Sequence, residues 1–271
     1  MNRRPAVGLP AWSAREEVTR LSAVAWPEHV DREWAWGGSS GHGVRVCVVD
    51  SGIDGDHPLV SPLEGSVAVT VSEQGEPHVE EDAEGDLCGH GTACASIIRS
   101  LASDCLLFSV RVLGVGARGS GKALVAGVRW AVEQGYEVVN MSLSTMHREF
   151  ESVLHELADS AYFRRTILVA SAHNLPVDSY PWRFSSVISV GSHAKPDPLA
   201  FFYNPSPPVE FFARGVDVEV ASPHGGVLRM SGNSFATPHL SGLCALTLAK
   251  HPGLTPFQLK SLLYLTADNV A

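Results

Sequence analysis

Four side chains in this sequence have the types and the placement that acyl-transfer chemistry requires. Asp50, His90, Asn174 and Ser234 each fall where a predicted strand ends or a predicted helix begins. In nucleophilic acyl transfer a neutral imidazole takes the serine proton and returns it to the leaving group. A carboxylate meanwhile fixes the imidazole tautomer and stabilises the imidazolium. An Asn side chain is a suitable donor to the tetrahedral oxyanion. Each residue also has a plainer reading. Ser is a preferred N-cap, Asp often caps a turn, and a lone His is commonly structural. Convergence on one edge of a sheet is what would separate the two.

The elements that must position these residues can be read from apolar patterning. Ser231-Gly232-Asn233-Ser234-Phe235-Ala236-Thr237-Pro238 leads into a run to Ala249 with no polar face, the pattern of a helix buried on all sides. Pro238 falls in its first turn, where a missing N–H costs nothing, and Ser234 sits at the positive end of the dipole. Residues 44–50 read as a buried parallel strand, with Asp50 at the carboxyl end, the ligand-binding edge of such sheets. His90 lies between Gly89 and Gly91 at the start of a helix over 92–101. Further strands are predicted at 106–113, 137–143, 166–172, 187–190 and 216–220. Further helices are predicted near 28–36, 123–134, 150–161 and 256–267. A capping box at Ser13-Ala14-Arg15-Glu16 starts a short helix near 14–25. The alternation predicts a three-layer α/β fold, a mostly parallel central sheet with helices on both faces. Residues 1–25 read as an N-terminal extension and 26–271 as one domain.

Composition excludes several classes. The 271 residues carry 20 basic and 29 acidic side chains, a formal charge of −9, which disfavours nucleic acid as a partner. Five cysteines argue against a disulfide framework. No run is long enough for a membrane span, and residues 5–14 lack the apolar core of a signal peptide, so the expected location is cytoplasmic. Gly114, Gly116, Gly119 and Gly121 are not a phosphate loop, because Lys122 lacks the required context. Cys88, His90 and Cys94 lack a second ligand pair at zinc spacing, so no metal and no cofactor are expected. Seven acidic residues between Glu73 and Asp86, with no basic one among them, read either as a solvated loop or as a rim attracting basic substrates.

The chain resembles the subtilisin-like serine proteases (subtilases, family S8) from about Trp26 to Ala267. Asp50-Ser51-Gly52-Ile53-Asp54 with His57-Pro58 is similar to the aspartate motif, His90-Gly91-Thr92 to the histidine motif, and the segment 232–239 to the serine motif. Val139-Asn140-Met141-Ser142-Leu143 resembles the strand before the substrate cleft. The resemblance implies Asp50, His90 and Ser234 as a triad, with Asn174 and the Ser234 N–H as oxyanion donors. It implies that Gly119, Ser120 and Gly121 face Ser142, Leu143 and Ser144 across an extended peptide substrate, bound by main-chain hydrogen bonds. His173 stands where the family usually has Gly, and Trp182 follows Tyr180-Pro181 where Gly is common. These two either restrict the primary specificity pocket or turn away to the surface. Asn233 replaces the usual Thr before the nucleophile. The helix after His90 leaves no room for the calcium loop of many secreted members. Only 43 residues precede the first predicted strand, too few for the folding prodomain usual in the family. Either that segment was removed or, as the missing signal sequence favours, this is an intracellular processing protease, by type one that matures ribosomally made peptides. A catalytically silent peptide-binding member and a peptide macrocyclase are the competing readings.

Overall fold

The computed structural model describes residues 26–270. Its centre is strand β1 (Arg45–Asp50), whose alternation sends side chains into two separate cores. Val46 and Val48 join one apolar cluster, and Cys47 and Val49 the other. A strand buried on both faces needs apolar residues at every position, and this one has them between its terminal Arg and Asp. Nine strands form the main sheet: β1, β2 (Gly65–Val71), β3 (Pro77–Glu81), β4 (Leu106–Arg111), β5 (Val138–Met141), β6 (Ile167–Ser171), β7 (Ile188–His193), β8 (Phe201–Tyr203) and β9 (Phe211–Arg214). Their spatial order is β3-β2-β4-β1-β5-β6-β7-β9-β8. Neighbours from β2 through β9 pair in parallel, while β3 and β8 are antiparallel at the two edges.

Helices α1 (Arg32–Trp36), α2 (His90–Leu101), α5 (Asn233–Lys250) and α6 (Pro256–Thr266) cover one face. Helices α3 (Gly121–Gln134) and α4 (Glu151–Phe163) cover the other. The expected three-layer α/β architecture is therefore present. Helix α5 is buried from Ser234 to Leu248, as its lack of a polar face implies. Among the described residues no helix is long and apolar enough to cross a membrane.

Several elements differ from the sequence reading. The helix expected near 28–36 is confined to Arg32–Trp36, because Asp31 caps it by accepting the Trp34 N–H at 2.7 Å. The strand expected over 187–190 continues to His193. The strand expected at 216–220 is β10 (Val218–Ser222), which leaves the main sheet and pairs antiparallel with β11 (Gly226–Met230). The acidic stretch is a hairpin rather than a loop, formed by β2 and β3. Strand β3 is exposed at all five positions, opens with Pro77 and has Val79 as its one other apolar residue, so it shows no alternating pattern. Its carboxylates guard an edge that would otherwise pair with another chain. The helix expected near 14–25 lies outside the described residues.

Candidate active site

Asp50 and His90 meet because two loops and the first turn of α2 close on one another without side chains between them. A Cβ on Gly91 would stand 2.0 Å from the Gly52 carbonyl oxygen, and one on Gly52 would stand 2.1 Å from that of Gly85. Gly52 also has φ +98, a conformation that L side chains rarely adopt. His90, the first residue of α2, places Nδ1 2.8 Å from Asp50 Oδ1 at the end of β1. That oxygen also accepts the Ser51 N–H at 2.8 Å, and the Asp50 carboxylate is fully buried. The charge of Asp50 raises the His90 imidazole above its ordinary range, against the opposing effect of burial. The carboxylate thus holds the proton on Nδ1 and leaves Nε2 as the base.

Sequence reasoning missed what holds this pair in register. Asp86 accepts from the N–H groups of Cys88, Gly89 and Thr92 and from the Thr92 and Ser51 hydroxyls. Ser51 Oγ in turn accepts the Gly91 N–H at 3.0 Å. A carboxylate at a helix start satisfies donors that have no intrahelical partner. Its signal was an Asp six residues before Thr92, hidden inside the acidic run. Asp82 is likewise internal, bound by Arg111 at 2.9 Å. Glu73, Glu76, Glu80, Glu81 and Glu84 remain exposed.

Ser234 is the second residue of α5 and is 9% exposed. Its Oγ and the Nδ2 of Asn174 lie 3.3 and 3.6 Å from the point where a Cβ on Gly232 would stand. Asn174 Oδ1 accepts the Asn233 N–H at 2.9 Å, which commits the oxygen and leaves Nδ2 free to donate. Asn233 itself ties β6, β7 and α5 together, donating to the Ala172 and His173 carbonyls and accepting the Ser192 N–H. The His90 ring sits 5.4 Å from that of Phe235, the next residue after Ser234. No hydrogen bond joins the His90 ring to the Ser234 hydroxyl in this arrangement. Catalytic hydrogen bonds of this kind are often long until substrate is in place.

Cys94 lies beneath these groups. Its Sγ donates to the Ser234 carbonyl at 3.6 Å, and burial pushes its thiol well above the ordinary range. Asp50, His90 and Cys94 bring three ligand-type atoms within 4.8 Å of one another, whereas Cys88 is exposed and outside that group.

The two cleft segments face each other. Gly119, Ser120 and Gly121 share a cavity of about 220 Å³ with Leu143, Ser144 and His173. Ser142 does not line it; its hydroxyl points inward to the Ser234 carbonyl at 2.8 Å. Ser120 Oγ caps α3, accepting the Ala123 N–H at 3.1 Å. Trp182 turns inward, whereas His173 is partly exposed. Trp182 is buried and donates to Ser179 Oγ at 2.8 Å, and Ser144 Oγ donates to the same oxygen at 3.0 Å. His173 is half-buried, with Nδ1 accepting the Leu175 N–H. With Asn174 and Trp182 it lines a second cavity of about 650 Å³.

Residues 41–271 match the Subtilase family, peptidase S8. Subtilisin DY of Bacillus licheniformis is 30% identical over 248 residues, covering 86% of this chain and 86% of its own. Subtilisin BL of Lederbergia lenta is 30% identical over 244 residues, again covering 86% of each. A cold adapted subtilisin-like serine proteinase of known structure is similar with a TM-score of 0.69 and 28% identity, over 86% of both chains. These likenesses, with a parallel sheet covered on both faces, define a serine peptidase. The chain belongs to the subtilase family, and it is a subtilisin-like serine endopeptidase.

Proposed function

We propose that the chain cleaves peptide bonds through an acyl-enzyme on Ser234. His90 acts as base and then acid, Asp50 orients it, and Asn174 with the Ser234 N–H receives the oxyanion. The observation that carries this reading is the 2.8 Å contact between the buried Asp50 carboxylate and His90 beside the start of α5. An extended peptide lies between the 119–121 segment and Leu143 and Ser144. The bridge from Trp182 through Ser179 to Ser144 ties the pocket wall to the cleft segment and holds its shape, which supports a processing protease rather than a general digestive one. We place that role in the cytoplasm, with maturation of a ribosomally made peptide as its candidate task.

The test is chemical. A fluorophosphonate labels Ser234, as mapped by peptide mass spectrometry, and labelling accelerates as pH rises through the His90 ionisation. Only neutral imidazole accepts the serine proton, and Asp50 raises that ionisation above the ordinary imidazole range, so the acid limb is displaced upward. A folded protein that stays unlabelled at neutral and mildly alkaline pH rejects the proposal.

The four exposed carboxylates of the β2–β3 hairpin, Glu73, Glu76, Glu80 and Glu81, favour a substrate with basic residues. Cleavage of a peptide library at low salt then selects Lys- and Arg-rich sequences, and high salt flattens the preference because exposed charges are screened. Equal cleavage of acidic and basic peptides in both conditions removes the idea.

A further inference from the structure

In an α-helix the carbonyl of residue i accepts the N–H of residue i+4. For Ser234 that residue is Pro238, which has no N–H. The carbonyl of the residue at the start of α5 is therefore deprived of its helical partner in a buried position, where an unmet acceptor is costly. Two side chains from other elements take the place of the missing donor. Ser142 Oγ, just beyond the end of β5, lies 2.8 Å from the Ser234 oxygen, and Cys94 Sγ, from α2, lies 3.6 Å away. Ser142 Oγ accepts Asn140 Nδ2 at 3.1 Å, and Asn140 Oδ1 accepts Ser241 Oγ at 2.9 Å. Asn140 and Ser241 are fully buried.

The direction of this chain matters. A hydroxyl has one proton, and an amide nitrogen can only donate. Because Asn140 donates to Ser142, the Ser142 proton is committed to the Ser234 carbonyl. That bond fixes the peptide plane after Ser234, and with it the direction in which the serine Cα presents its hydroxyl. Ser142 is also the residue before Leu143 and Ser144 of the cleft wall, so one hydroxyl couples the wall to the serine.

We propose that Asn140 and Ser142 are positioning residues. A relay from Ser241 through Asn140 to Ser142 holds the Ser234 carbonyl in place of the N–H that Pro238 lacks, and so aims the nucleophile. This rests on the reading of Ser234 as nucleophile.

The test compares Ser142→Ala, Ser142→Thr, Pro238→Ala and the Ser142→Ala/Pro238→Ala double variant in the full chain. Each is checked for folding by thermal unfolding. Ser142→Ala lowers kcat about tenfold, the equivalent of one buried hydrogen bond, with KM within about twofold. Ser142→Thr keeps the donor and retains most of kcat. Pro238→Ala restores a main-chain donor to the Ser234 oxygen, so adding Ser142→Ala to it costs about twofold or less. An equal loss in both backgrounds, or a loss confined to KM, overturns the relay.

A second readout does not depend on activity. Ser234-Phe235 is the only Ser-Phe step in the chain, so labelling with carbonyl-13C serine and 15N phenylalanine isolates the Ser234 carbonyl by NMR. Its resonance moves upfield in Ser142→Ala and stays in place in Ser142→Thr; no movement in Ser142→Ala overturns the relay. An unlabelled wild type in the fluorophosphonate assay rejects Ser234 as nucleophile, whereas the carbonyl shift reads the hydrogen bond in either case.

Discussion

Ser234→Ala is expected to lower kcat by about 10⁶, His90→Ala by nearly as much, and the double variant by no more than either alone. The magnitude is the one measured for the corresponding residues of subtilisin and is carried over to this chain. The physical argument for non-additivity is local. A serine hydroxyl is a weak nucleophile until a base takes its proton, and an imidazole without a hydroxyl to deprotonate has no task in acylation. Asp50 stands one step further back: it bonds His90 Nδ1 at 2.8 Å, remote from the bond being cleaved. Asp50→Asn therefore leaves geometry largely intact but favours the wrong tautomer, with an expected loss of about 10⁴. Steady-state rates on a peptide substrate, normalised to folded protein, check all four variants. Losses that multiply in the double variant would separate the two residues into independent functions.

The parts of this arrangement legible in the sequence were those where burial leaves no choice of residue. Strand β1 is apolar between its ends because both faces are covered, and α5 lacks a polar side because it crosses the core. Their ends then marked Asp50 and Ser234. Edge elements were illegible for the same reason reversed: β3 buries nothing, and β8 is three residues long. The supporting polar groups were harder still. Asp86 stood among six other acidic residues, and its role follows only from the packing of the Gly52 loop against the first turn of α2. Asn140 was visible in a motif, but its task depends on Ser241 meeting it from another element, 101 positions away. Asn233 stood out only as a replacement for the usual Thr, yet both ends of its amide are used to join the ends of β6 and β7 to α5. A side chain whose partners are distant along the chain carries no local pattern.

Asn174→Leu is the other large effect expected, a fall in kcat of about 10²–10³ with little change in KM, the magnitude being that of the oxyanion-hole Asn in subtilisin itself. The donor matters only once charge develops on the carbonyl oxygen, so binding of the neutral peptide hardly registers its loss. Asn174 is exposed and its side chain makes one hydrogen bond, to the Asn233 N–H, so the substitution moves the melting temperature little. Asn174→Asp sharpens the distinction. It keeps an oxygen for the Asn233 N–H but puts a second, negative oxygen where the amide donor stood. Activity should then fall below that of Asn174→Leu, because the developing oxyanion meets repulsion rather than an absent donor. If the two variants are equal in kcat, or if the loss falls on KM, Asn174 serves the shape of the cleft and the oxyanion must be held by main-chain donors alone.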